Sequence, residues 1–225
     1  MPGTQYYVIF DMDGVIFDSE RACLYCWQEI AADFGMPDVE DVFRRCIGTN
    51  NQQTRDIVEN AYAEEFGSGI ADRLMAESSR RFHAKYDNGN LPVKDGVREI
   101  LTFLKDAGVT LGLASSTRKA SVECELREAG FLDYFNHIVG GDAVCVSKPD
   151  PEIYEIAIRE LGAVPARTWA IEDSFNGIRS AHAAQLRPIM VPDIIPADEE
   201  MRGLSEVVCA DLREARDYLA RQIEG

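Results

Sequence analysis

Tyr7-Val8-Ile9-Phe10-Asp11-Met12-Asp13-Gly14 is a short apolar run that ends by delivering two carboxylates, two residues apart, into a glycine turn. The apolar part reads as a buried strand covering about Tyr6 to Phe10. Parallel sheets bind ligands at the carboxyl ends of their strands. Like charges this close disfavour joint ionisation unless a cation sits between them or one group stays protonated. The Asp11-x-Asp13 pair therefore calls for a metal, a proton, or both.

Downstream of this strand the pattern changes twice. From Ser19 to about Tyr86 the chain reads as helices only: one from Ser19 toward Gly35, then about Val39 to Arg45, Gln52 to Phe66 and Gly69 to Tyr86. The breaks Ile47-Gly48-Thr49-Asn50-Asn51 and Gly67-Ser68-Gly69 separate them. After Asn88-Gly89-Asn90-Leu91-Pro92, helices alternate with β-rich runs at Thr110–Ala114, His137–Val139, Thr168–Ile171, Arg187–Val191 and Val207–Cys209, and a last helix starts near Leu212. The acidic segment Pro192–Glu200 reads as a surface loop. This alternation predicts an α/β fold with a Rossmann-like, mostly parallel sheet flanked by helices. Residues 1–17 and 88–225 form that core, and residues 18–87 form an inserted all-helical cap domain, positioned to act as a lid.

Composition narrows the function classes. A formal net charge of −16 argues against a nucleic-acid or anionic-membrane partner. It leaves room for a small phosphorylated metabolite held by a local cluster of lysine, serine and metal. No run approaches the ~20 apolar residues of a membrane helix, and the first residues lack the basic and apolar regions of a secretory signal. The six cysteines are too few for a disulfide scaffold in a chain of 225 residues, and Cys23 and Cys26 read as small buried residues on one helical face. A reducing cytoplasm is the expected compartment. Nothing in the sequence sets the oligomeric state, and a monomer is compatible with it.

Three further features lie at later strand ends. Thr110-Leu111-Gly112-Leu113-Ala114 runs into Ser115-Ser116-Thr117, which offers hydroxyl and N–H groups to an anion, or else an N-cap to the next helix. Lys148 lies in Val146-Ser147-Lys148-Pro149-Asp150-Pro151, where Asp150 and Pro151 read as a helix cap and first turn that pin the preceding loop. Trp169-Ala170-Ile171 leads into Glu172-Asp173-Ser174, adjacent carboxylates that read equally as a helix cap. The joint pattern outweighs its parts: Asp-x-Asp, Ser, Lys and Glu-Asp occur in order along one sheet.

Asp11-Met12-Asp13-Gly14-Val15, Ser115, Ser147-Lys148-Pro149 and Glu172-Asp173-Ser174 resemble the four signature motifs of the haloacid dehalogenase superfamily. The likeness runs through almost the whole chain. Phe10 to Glu20 is especially similar to the branch of phosphatases and β-phosphoglucomutases with a helical cap. The resemblance implies that Asp11 is the nucleophile, forming an aspartyl-phosphate, and that Asp13 is the general acid/base, which must reach the reaction protonated. It implies Mg2+, held by Asp11, the backbone carbonyl of Asp13, Asp173 and, directly or through water, Glu172. Ser115, Ser116 and Lys148 would bind the phosphoryl oxygens.

Within the superfamily, Asp13 and Glu172-Asp173 point to phosphoryl transfer rather than dehalogenation. Lys85, the lysine of the cap, is poorly placed for the Schiff base of the phosphonatase branch. β-Phosphoglucomutases that resemble this chain carry His and Arg at the positions of Cys23 and Asn51, so water is the expected acceptor and a phosphatase is preferred to a mutase. Glu20, Asn50 and Asn51 are the cap residues expected to select the substrate, and neutral amides there suit a hydroxylated compound such as a sugar phosphate.

Overall fold

The computed structural model describes residues 5–49 and 51–224. The chain divides into two compact units, Met1–Asp18 with Val93–Gly225, and Ser19–Pro92.

In the first unit the described residues form a six-stranded sheet from β1 (Tyr7–Phe10), β2 (Thr110–Ala114), β3 (His137–Val139), β4 (Thr168–Glu172), β5 (Arg187–Met190) and β6 (Val207–Val208). Their order is β3-β2-β1-β4-β5-β6, and every pairing is parallel. β1 is central, with Phe10 in register with Leu113 of β2 on one side and Ile171 of β4 on the other. A strand covered on both faces needs no alternation, which is why Val8, Ile9 and Phe10 are all buried. The strand order reverses between β1 and β4, so their carboxyl ends flank the crevice where such sheets bind ligands.

Helices α5 (Val97–Asp106), α6 (Lys119–Glu128), α7 (Glu152–Leu161), α8 (Phe175–Ala183), α9 (Glu199–Leu204) and α10 (Leu212–Glu224) belong to this unit. Ile9, Ala114 and Ala170, one from each central strand, share a buried cluster with Ile153, Tyr154 and Ala157 of α7 and Ala181 of α8. Small residues on the strands let α7 and α8 approach that face closely. Side-chain alternation then places Asp11 and Glu172, two residues beyond Ile9 and Ala170, at the top of the same face.

The second unit contains four described helices, α1 (Ser19–Phe34), α2 (Val39–Cys46), α3 (Asn51–Phe66) and α4 (Ile70–Tyr86). Their apolar faces meet in an interior holding Ala22, Cys26, Trp27, Ile30, Phe43, Val58 and Leu74. Trp27 meets Phe43 edge to face at 5.2 Å, and Arg81 of α4 reaches Asp33 of α1 at 2.7 Å. Cys23 lies 3.7 Å from Ser78, burial pushes its thiol up to about 11, and all six cysteines are free. Cys26 is buried as expected while Cys23 is only half-buried, and a thiol held in this state is a poor nucleophile.

Two elements differ from expectation. The acidic segment ends not as a loop but in α9, because the Asp198 carboxylate accepts the Met201 N–H at 2.8 Å and caps the helix. Asn51 opens α3 rather than closing the loop before it, one residue ahead of the expected start of that helix. Asn50 lies outside the described residues.

Candidate active site

Asp11 follows β1 immediately, and its N–H still donates to the Ile171 carbonyl at 2.9 Å, extending the β1–β4 ladder by one residue. Its side-chain direction is therefore set by the sheet. Lys148 comes from the loop before α7, where the Asp150 carboxylate accepts the Glu152 N–H at 3.0 Å and Pro151 already has helical backbone angles. From there Nζ donates to Asp11 Oδ1 at 2.6 Å, Glu172 Oε1 at 2.6 Å and the Ala114 carbonyl at 3.1 Å. Three acceptors satisfy all three ammonium protons.

Glu172 is 0% exposed and ends β4. Besides Lys148, its Oε1 accepts the Tyr154 hydroxyl at 2.7 Å, and its Oε2 accepts Ser174 Oγ at 3.2 Å. The carboxylate sits so close to α8 that a Cβ on Gly177 would fall 2.0 Å from it. Ser174, not a carboxylate, caps α8, accepting the Gly177 N–H at 3.1 Å. Asp173 lies against the turn after β1. Gly14 has φ +77°, and a Cβ there would come within 2.1 Å of Asp173 Oδ2, so conformation and clearance both require glycine.

Asp13 turns toward β2. Its Oδ2 accepts Thr117 Oγ1 at 3.0 Å, and Ser115 Oγ lies 3.5 Å away while itself accepting the Thr117 N–H at 3.0 Å. The hydroxyls of Ser115-Ser116-Thr117 are not the cap of α6. Asp142 takes that role, its Oδ1 accepting the Lys119 N–H at 2.8 Å.

Two carboxylates on one ammonium, with the buried Asp173 carboxylate beside them, leave a negative surplus in a buried place. Burial pushes the Asp11 carboxyl well above the usual range; Lys148 opposes the shift, and Glu172 and Asp13 add to it. Burial also works against the Lys148 charge, but Asp11 and Glu172 outweigh it and hold the ammonium above its ordinary value. Carboxylate oxygens of Asp11, Glu172 and Asp173 lie within 4.8 Å of one another. Hard oxygen donors with surplus negative charge fit a hard divalent cation.

The structure thus brings Asp11, Lys148, Glu172 and Asp173 together, with Asp13 and Ser115 gathered beside β2. The Asp13 carboxylate accepts instead from Thr117 and Ser115. Ser116 is exposed. Glu20 stands in the first turn of α1 and Asn51 at the start of α3, both in the helical unit. Thr117, Tyr154 and Ser174 escaped the sequence reading as site residues. Thr117 and Ser174 stood inside the quoted stretches, while Tyr154 carried no signal until α7 was seen to face β4.

A family model described as haloacid dehalogenase-like hydrolase matches residues 8–191. The phosphorylated carbohydrates phosphatase of Thermotoga maritima is 33% identical over 182 residues, 81% of this chain and 82% of the relative. The β-phosphoglucomutase of Bacillus subtilis is 28% identical, covering 92% of this chain and 93% of the relative. The crystal structure of CbbY from Rhodobacter sphaeroides in complex with phosphate superposes with a TM-score of 0.71 at 27% identity, over 94% of this chain and 96% of that one.

Proposed function

The chain belongs to the haloacid dehalogenase-like hydrolase family, and on that premise we propose that it is a Mg2+-dependent phosphatase of a small phosphorylated metabolite of the sugar-phosphate type. The observation that carries this reading is the Asp11 carboxylate held 2.6 Å from Lys148 at the end of the central strand, with the Asp13 carboxyl fixed two residues on.

In the first step Asp11 attacks phosphorus, an Asp11–phosphorus bond forms and the ester bond breaks. The Asp13 carboxyl gives its proton to the departing oxygen, which leaves as an alcohol. Water then attacks phosphorus, its proton passes to Asp13, and the Asp11–phosphorus bond breaks to free phosphate and Asp11. Lys148, Ser115 and Ser116 hold the other phosphoryl oxygens. Asp11, Asp173, the Asp13 carbonyl and Glu172 would hold Mg2+, which when bound neutralises charge so that an anionic nucleophile can meet an anionic ester.

The helical unit is proposed as the substrate-selecting cap, with Glu20, Asn50 and Asn51 as its reading residues. Cys23 supports water as the acceptor, because a thiol pushed up to about 11 supplies no acid/base group where the mutases have histidine.

Full-length protein should release phosphate from p-nitrophenyl phosphate and from a panel of sugar phosphates only with Mg2+. Asp11→Asn should reduce this to background, and wild-type turnover by that variant would disprove the nucleophile. With β-glucose 1-phosphate, more glucose 6-phosphate than free phosphate would establish the mutase reading instead.

A further inference from the structure

A general acid on a short side chain still has two free torsions, and a carboxyl that must meet one departing oxygen gains from being held. The Asp13 carboxyl has a partner fitted to that task. Thr117 Oγ1 donates to its Oδ2 at 3.0 Å, closer than Ser115 Oγ, which donates at the longer distance of 3.5 Å while accepting the Thr117 N–H. Threonine is β-branched and stiff about χ1, so its hydroxyl is aimed by the backbone.

That backbone is pinned on both sides of Thr117. Before it, the Ser115 N–H donates to the Val139 carbonyl at 3.1 Å. The Thr117 carbonyl itself accepts the Gly141 N–H at 2.8 Å, and after it the Lys119 N–H donates to Asp142 at 2.8 Å. Asp142 thus holds the start of α6 from the segment that follows β3. We infer that Thr117 is a positioning residue for Asp13, fixing the plane of its carboxyl through Oγ1 with the Gly140–Asp142 segment as its anchor. The inference rests on the phosphatase reading, in which Asp13 is the acid that protonates the departing oxygen.

A hydroxyl that merely bound phosphate would affect all substrates alike. A hydroxyl that orients the acid matters most where the departing oxygen needs its proton. The test uses full-length protein with Mg2+ and two aryl esters: p-nitrophenyl phosphate, whose phenolate leaves readily, and phenyl phosphate, whose phenolate does not. Thr117→Val, which keeps the shape and removes the donor, should lower kcat/KM for phenyl phosphate by at least about tenfold and for p-nitrophenyl phosphate by less than about threefold. Thr117→Ser should recover most of the loss, and the inhibition constant for inorganic phosphate should stay unchanged. In an Asp13→Asn background, Thr117→Val should add nothing.

Circular dichroism checks each fold, and Thr117→Ala is a second donorless variant should the valine disturb packing. Equal losses on both esters, weaker phosphate inhibition, or an undiminished effect in the Asp13→Asn background would each overturn the positioning role and leave the phosphatase reading standing. A wild-type protein without Mg2+-dependent turnover would instead overturn that reading and the inference with it.

Discussion

Glu172 takes hydrogen bonds from Lys148, Tyr154 and Ser174 while fully buried, so at the residue scale the site depends on satisfying one carboxylate completely. A buried charge tolerates removal of a partner poorly, because the orphaned lone pair keeps its full desolvation cost. Tyr154→Phe deletes only the hydroxyl and leaves the ring packed in the sheet-facing cluster. It should cost about 1–3 kcal/mol of stability, read as a lower urea midpoint at constant slope. An unchanged midpoint would mean that the hydroxyl contributes nothing. Asp11, Ser115, Glu172 and Asp173 were legible as candidates because each ends or follows an apolar run, Asp13 because it pairs with Asp11, and Lys148 because a rigid Pro-x-Pro follows it. Tyr154 was not, because its partner lies 18 residues away in sequence and across the sheet–helix interface.

Elements were legible wherever local signals were self-contained. The four helices of the second unit and the strands of the first follow from periodicity and turn chemistry, with ends shifted by a residue or two. α9 was missed although its signal was local: Asp198 followed by Glu199 and Glu200 is an N-cap with an acidic first turn, overshadowed by the prolines before it. Asp198→Ala should cost about 1 kcal/mol, seen as a fall in thermal midpoint, without loss of turnover per folded molecule. No drop in midpoint would show that α9 is held by Met201 packing alone. The start of α6 shows the opposite case. Its acceptor is Asp142, a residue no local rule assigns to it, and that long-range cap leaves the Ser115 and Thr117 hydroxyls to Asp13.

Across the whole molecule, the buried Asp11 and Glu172 carboxylates converge on Lys148 with the buried Asp173 carboxylate beside them, so folding alone concentrates a charge that a divalent cation would relieve. A ligand that binds only the folded state stabilises it in proportion to its occupancy, by about 2.7 kcal/mol at a hundred times its Kd. Mg2+ should therefore raise the thermal midpoint of the wild type, EDTA should reverse the rise, and Asp173→Asn should lose most of it. A wild-type midpoint indifferent to Mg2+ would refute the cation site. By itself the sequence determined the fold class, the order of the four motifs and the places of three of them at strand ends, the exception being Lys148 in the loop before α7, because backbone propensity and burial on both faces of a strand are written in local residue types. Only the tertiary structure decided which of these groups meet. The order β3-β2-β1-β4-β5-β6 sets β1 beside β4 and β2, and so brings Asp11 to Glu172 and Thr117 to Asp13, 104 residues apart. Strand order is a property of crossovers and packing, and no single stretch of chain encodes it.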